Sequence, residues 1–450
     1  MRLLGASGQL GYGIPSPALN AGLAREPHLI GCDMGSIDIG PSYLGRGEMA
    51  TSPASTRRDL RKVLMAARAH DVPLVIGSAG SAGAGPHVQA TLNTVRDIAR
   101  QEGLKFRMGV LHADIPEETV KAAVRANEVQ GVDGMPALTE AAVDACTNLV
   151  AQMGTNSFQR ALEQDIDVLI AGRACDTAIF ASLPGIVGFP LGLSTHMAKI
   201  IECASLCCVP GGRDTIMATL DRDGFSLESM APNRRATPVS VAAHSLHEQS
   251  DPFTVQEPDR WLDLGQAHYE ALDDRRTRVT GAMWHASSTP WMKLEGACRV
   301  GERAVLLCGA ADPRFIARSE EILSNAAAGV RDLVLVCEDA EEDYYSLFWR
   351  VYGVNGVREA IPADAPLPGE VFLLVECIAP TSERAAEVVR TMKQYLLHNG
   401  YPGRLSTGGN VAFPFTPPEV SLGTAYRFNV YHLMRAHDLQ ALFPLQVETV

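Results

Sequence analysis

"RLLGASGQLGYGIP", Arg2–Pro15, runs a short apolar segment into Gly5, Gly8, Gly11 and Gly13. The G-x-x-G-x-x-G spacing is that of the extended short-chain dehydrogenases. There the glycines allow a tight turn and a close backbone approach to a pyrophosphate. Three features oppose a dinucleotide site. Pro15 and Pro17 interrupt the long helix that should follow. Asp33, the acidic candidate, falls late and within a second glycine-rich loop, "GCDMGSIDIG". No Tyr-x-x-x-Lys pair follows. Two other uses of the loop stay open: tight strand–loop packing, or backbone amides, at Gly8 and Gly11, that hold an anionic substrate.

Outward from this loop the chain alternates. "HLIGCDMG" reads as a second strand, "STRRDLRKVLMAARAHD" as an amphipathic helix with Leu60, Val63, Leu64 and Ala67 on one face, and "VPLVIGSAG" as a buried strand. "HVQATLNTVRDIARQEG" is a helix closed by Gly103, "KFRMGVLHAD" a strand, and "IPEETVKAAVRAN" a helix with Pro and two Glu in its first turn. "DVLIAG" is a further strand, with a helix opening at "RACDTA". Repeated strand–helix units with apolar strands predict an α/β fold, a parallel-sheet core with helices on both faces. Later the texture changes. "TIMATLDRDGFSLESM" reads as a hairpin around Asp223-Gly224, and "RVTGAMW", "ERAVLLCGAA" and "DLVLVCED" as strands. The Pro-rich "PADAPLPGE" (362–370) reads as a linker to a smaller α+β C-terminal part. We therefore expect a core domain over 1–361 and a second domain over 370–450.

The 450 residues carry a net charge of −13, with no basic run. Nucleic-acid binding, which needs a positive footprint, is not expected. The longest uncharged stretch, Thr177–Ala198, holds two prolines, three glycines and His196, and reads as helix–loop–helix rather than a membrane span. No charged n-region precedes an apolar h-region, so no signal peptide is expected. The ten cysteines are scattered without a C-x-x-C pair, which suits free thiols in a reducing cytoplasm. Cys203, Cys207 and Cys208 fit a helix face better than a metal site, and no metal is expected.

Ligands in open parallel sheets sit beyond the carboxyl ends of the strands. "GASGQLG", "CDMGSID", "GSAGSAGAG", "LHAD" and "AGRACDTA" all lie there. Asp33 and Asp38 either share general-base work or cap turns. His112 and Asp114 either pair for acid–base chemistry or, for Asp114, cap the following helix. Ser81 is a substrate-binding candidate from the third loop. Arg173 suits bidentate grip of a carboxylate or phosphate. Cys175 is either an activated nucleophile or a small buried residue. Asp176 caps its helix or acts as a base. Glu202, within the apolar "AKIIECASL", is either paired or functional. In "STGGNVAFPF", Asn410 either belongs to a domain joint or helps close the site over substrate.

"GRACDTA", "IIECASLCC" and "LLHNGYPGRLSTGGNVAFPFTPPEV…YRFNVYHLM" resemble the acyclic terpene utilisation (AtuA) family, a likeness running from the first glycine loop to "YHLM". Arg173 and Asp176 match its Gly-Arg-x-x-Asp segment, while Cys175 stands where the family usually carries Ala. Glu202 and Cys203 match its Ile-Glu-Cys-Gly run, with Ala204 in place of Gly. The resemblance implies a cytoplasmic catabolic protein working on CoA thioesters, with a small protein partner encoded nearby, and supplies no mechanism. Carboxylates and His without a redox motif point to hydratase- or lyase-type acid–base chemistry on a small carboxylate or acyl-CoA substrate. No separate cofactor is identified, since CoA would arrive with the substrate. The alternative is a noncatalytic ligand-binding subunit of a catabolic complex. A homo-oligomer is left open.

Overall fold

The computed structural model describes residues 1–450 except 248–250, 288, 339–343, 359–361, 363–364 and 406–408, with the backbone alone at 334–338. The chain forms two compact units, Met1–Cys298 with Phe428–Val450, and Arg299–Arg427. It leaves the first within the strand Trp291–Ala310 and returns within the strand Glu419–Arg435.

The first unit is built on a ten-stranded sheet. Its middle is parallel, in the spatial order Arg2–Ser7, Leu29–Asp33, Leu74–Gly77, Val168–Ala171, Arg107–Leu111. The sheet is mixed rather than wholly parallel. Ile216–Leu220 pairs antiparallel beside Arg2–Ser7, followed by Phe225–Ser229, Arg276–Thr280 and His268–Ala271. The hairpin expected around Asp223-Gly224 is present. "RVTGAMW" is not one strand: it divides at Gly281, whose φ of +86° suits glycine. Its second half, Met283–Ala286, joins Thr254–Glu257 and Arg260–Asp263 in a separate three-stranded sheet.

Side-chain alternation along the central strands divides their apolar residues between two clusters. Leu4, Ile30, Ile76, Val110 and Ile170 pack with Leu60 and Val63 of the helix Pro53–Ala69 and Val88 and Val95 of the helix Gly85–Glu102. Leu3, Leu29, Val75, Leu111 and Leu169 pack with Ile179 and Phe180 of the helix Thr177–Val187 and Met197 and Ile201 of the helix Leu191–Ile201. The uncharged stretch 177–198 is thus two buried helices. Among the described residues no helix is long and apolar enough to cross a membrane.

The second unit pairs Ser346–Tyr352 and residues 302–310 antiparallel on either side of Val371–Ala379, with the helices Ser319–Glu338 and Ser382–His398. "DLVLVCED" continues the helix Ser319–Glu338 instead of forming a strand, with residue 339 outside the described residues. The 362–370 stretch does not link two domains. It joins two strands that are neighbours in one sheet. Nor does 370–450 form a domain of its own, because Leu445–Thr449 pairs with Arg107–Leu111 in the first unit.

Candidate functional site

Two cavities open in the first unit and share Ser36, Asp38 and Asp176 in their walls. The first, of about 300 Å³, is lined by Gly8, Gln9, Tyr12, Asp33, Cys203, Arg213 and His247 among others. The second, of about 320 Å³, takes Gln152, Arg173, Cys175, Lys199, Glu202, Glu257, Lys293 and Tyr431. Both collect residues that follow the carboxyl ends of the strands Arg2–Ser7, Leu29–Asp33 and Val168–Ala171, as this sheet geometry dictates. Gly8, Asp33, Asp38, Arg173, Asp176 and Glu202 are thereby brought together.

The glycine loop does not offer its amides to a ligand at Gly11. The Gly11 and Gly13 N–H groups donate to Asp59 Oδ2 at 3.0 and 2.7 Å. Asp59 is fully buried, and the helix Pro53–Ala69 carries it there. The nest holds an anion, and that anion is the chain's own carboxylate. Gly8 meets a steric demand: a Cβ would lie 2.7 Å from the Cys203 backbone.

Asp33 is 5% exposed. Its Oδ2 accepts the Gly35 amide hydrogen at 2.9 Å, while Oδ1 has no hydrogen-bond partner among the described residues. Burial pushes its carboxyl well up, and Asp176 and Glu202 push the same way. Asp38 is exposed and accepts from the Ser36 hydroxyl at 2.6 Å. Asp176 stands at the N-cap of the helix Thr177–Val187 and makes no side-chain cap hydrogen bond there, so helix capping is not its role.

Glu202, directly after the helix Leu191–Ile201, pairs with Lys199 Nζ at 2.7 Å, both buried. Burial, with the charges of Asp176 and Glu257, overcomes Lys199 and pushes the Glu202 carboxyl up to about 8. Glu257 comes from the three-stranded sheet. Its Oε1 accepts the Thr177 hydroxyl hydrogen at 2.7 Å, its Oε2 has no partner among the described residues, and burial pushes it up to about 7.

Arg173 lines the second cavity, but its fork is already taken. Nε donates to Glu295 Oε2 at 2.7 Å and Nη2 to Glu295 Oε1 at 3.2 Å, while Nη1 donates to Ser78 Oγ and the Ala174 carbonyl. Glu295 is fully buried and also accepts from Gln152 Nε2 at 3.0 Å. The paired edge of Arg173 is therefore engaged by a carboxylate of the chain itself. Arg173 fixes the loop that carries Asp176. Cys175 and Cys203 line the cavities, and burial pushes both thiols up, away from the lowered value that an activated nucleophile needs.

Ser81, His112, Asp114 and Asn410 stand outside both cavities. Ser81 is buried, with its hydroxyl accepting from the Ala50 amide at 3.3 Å. His112 follows Arg107–Leu111 without lining either cavity, and its backbone amide donates to the Pro444 carbonyl. Asp114 is a cap, but of another helix: it accepts from the Gly85 amide at 2.8 Å, at the start of Gly85–Glu102. Asn410 lies in the second unit. Its amide donates to the Leu396 and Asn399 carbonyls at 3.0 and 2.8 Å, and its carbonyl accepts from Arg404 at 2.5 Å. That is a joint closing the helix Ser382–His398; Gly408 lies outside the described residues.

Lys199, Glu257, Lys293 and Glu295 escaped the sequence reading. Three of them had a signal: Lys199 sits three before Glu202 in an apolar helix, and Lys293 and Glu295 stand two apart at the start of a strand, spacings that put each pair on one face.

The family model described as acyclic terpene utilisation family protein AtuA matches residues 53–416. The chain belongs to the AtuA family. No curated protein and no solved structure matches it significantly. The AtuA match takes in Arg173, Asp176, Lys199, Glu202, Glu257 and Glu295, and begins after the first glycine loop and ends before "YHLM".

Proposed function

We propose that this AtuA-family chain is a cytoplasmic catabolic enzyme that moves protons next to the carbonyl of a small carboxylate or acyl-CoA thioester, in a hydration or elimination. The placement of Glu202 carries this reading. It is buried, held by Lys199 at 2.7 Å, and opens on a cavity that Asp176 and Glu257 also line. A carboxyl poised near neutral serves as proton donor or acceptor, and positioned acid–base groups of this kind contribute about 10²–10⁴ in rate. Glu202 takes or gives the proton at the carbon beside the carbonyl. Lys199 fixes the direction of that carboxyl and balances its charge once ionised. The Arg173–Glu295 pair holds the loop so that Asp176 stands between the two cavities. Arg213, over the Tyr12 ring at 5.5 Å, supplies positive charge to the first cavity, which suits an anionic substrate.

The test is turnover. The purified protein is incubated with short enoyl- and 3-hydroxyacyl-CoA thioesters and the matching free acids, and products are read by mass spectrometry. Gain or loss of water that disappears in Glu202→Gln supports the reading. Tight binding with no chemistry makes the chain a noncatalytic ligand-binding subunit instead.

A further inference from the structure

Two carboxyls at the cavities each keep one oxygen on a protein donor and leave the other without a partner among the described residues. Asp33, which lines the first cavity, rests Oδ2 on the Gly35 amide at 2.9 Å and leaves the buried Oδ1 without a partner among the described residues. Glu257 rests Oε1 on the Thr177 hydroxyl at 2.7 Å and leaves Oε2 buried at the second. Buried polar atoms are almost always satisfied, and an orphan needs an explanation. Two orphans of one kind, in adjoining cavities that share the Asp38 and Asp176 wall, have a common one: each is completed by an oxygen of the bound molecule. The protein neighbours leave little choice of what those oxygens are. Asp33 is buried, and burial with Asp176 and Glu202 outweighs the Arg173 cation in favouring its protonated form, so a carbonyl oxygen that accepts its proton suits the unpartnered oxygen. Glu257 sits with Thr177 already donating to it, so its other oxygen suits a hydroxyl or water that donates.

We infer that Asp33 and Glu257 hold the two oxygens of one substrate of the β-hydroxyacyl class, Asp33 donating to the carbonyl oxygen and Glu257 exchanging the proton of the hydroxyl. This rests on the acid–base reading above and specifies its substrate. In the hydration direction Glu257 removes one proton from water as the water oxygen bonds to the β-carbon. The π pair of the carbon–carbon double bond moves to the α-carbon, which takes a proton from Glu202. The net change is addition of one water, and the two carboxyls recover their starting states by proton exchange with solvent. Glu257 is thereby a second catalytic residue, contributed by the three-stranded sheet.

The probes are 3-hydroxybutyryl-CoA and butyryl-CoA, which differ only in the hydroxyl. Affinities are measured by calorimetry for the wild type, Glu257→Ala, Glu257→Gln and Asp33→Ala, each checked for a cooperative thermal transition. The wild type is expected to prefer the hydroxylated probe by about tenfold, the worth of one buried hydrogen bond to a charged or polar partner. Glu257→Ala lowers that ratio to near one with little change for butyryl-CoA, whereas Asp33→Ala weakens both probes alike. Glu257→Gln, which preserves shape, keeps part of the preference. A ratio unchanged in both Glu257 variants, or no binding of either probe to the folded wild type, overturns the inference. Deuterium uptake by the probes in the wild type separates the two claims. Ratio effects without uptake support the two binding assignments and overturn the proton-transfer step together with the acid–base reading; uptake with an unchanged ratio overturns the binding assignments and leaves that reading standing.

Discussion

Asp59 holds Gly13: the carboxylate oxygen Oδ2 accepts its amide hydrogen at 2.7 Å, and that of Gly11 at 3.0 Å. A buried carboxylate on a helix thus shapes the glycine loop that walls the first cavity. Arg58 Nε completes the arrangement at 2.8 Å from Oδ1. Asp59→Ala leaves two loop amides without their acceptor and is expected to cost about 3 kcal/mol, the range for losing buried charge-assisted hydrogen bonds. Urea denaturation reads this directly, and a loss within error of zero contradicts the role.

Arg173 and Glu295 give a second expectation. Removing one partner strands the other's charge in the interior, at a cost of about 3–5 kcal/mol. Glu295→Ala and Arg173→Ala are each expected to destabilise in that range. Their double variant is expected to cost less than the two losses added, and additive losses in the double-mutant cycle would show that the two do not act as a pair.

The pH dependence of stability follows from Glu202. Its carboxyl is pushed up to about 8 in the folded chain, against about 4.3 for an unperturbed Glu. Between those values the folded state binds more protons than the unfolded state, so stability falls as pH rises. The contribution is full below the unfolded value and lost as pH passes the folded one; Glu257, pushed up to about 7, acts in the same direction. Denaturation midpoints are expected to fall from mildly acidic to mildly alkaline pH. Glu202→Gln, which cannot ionise, flattens the fall, and an equally steep fall in that variant contradicts the assignment.

Asn410 is expected to matter for stability alone. Asn410→Ala removes donors to the Leu396 and Asn399 carbonyls at the end of the helix Ser382–His398. A loss of about 1–2 kcal/mol is expected, seen as a lower melting temperature with unchanged activity per folded molecule. Reduced turnover with the melting temperature intact would return Asn410 to the substrate.

The parallel strands and their helices were legible because apolar runs, amphipathic spacing and caps all agreed there. Pro53 and Ser52 open one helix and Gly103 ends another. Local signals failed where tertiary pairing decided. "DLVLVCED" has strand composition yet continues a helix. "RVTGAMW" reads as one strand and is parted between two sheets at Gly281. The Pro-rich 362–370 looks like a linker, but what it joins depends on pairing many residues away. At the site, Asp33, Asp176 and Glu202 were legible as polar groups at strand ends or within apolar helix. Glu257 was not, because only the folding of the three-stranded sheet brings it to the cavity. Arg173 was found but its pairing with Glu295 was not, since Glu295 lies over a hundred positions away in sequence.

Proton movement at Glu202 is tested most directly by solvent isotope exchange. Butyryl-CoA is incubated with the protein in deuterated water, and deuterium at the carbon beside the thioester carbonyl is followed by mass spectrometry. Uptake by the wild type, lowered about a hundredfold or more in Glu202→Gln while that variant stays folded, is the expected result. Equal uptake by the wild type and Glu202→Gln would contradict the account.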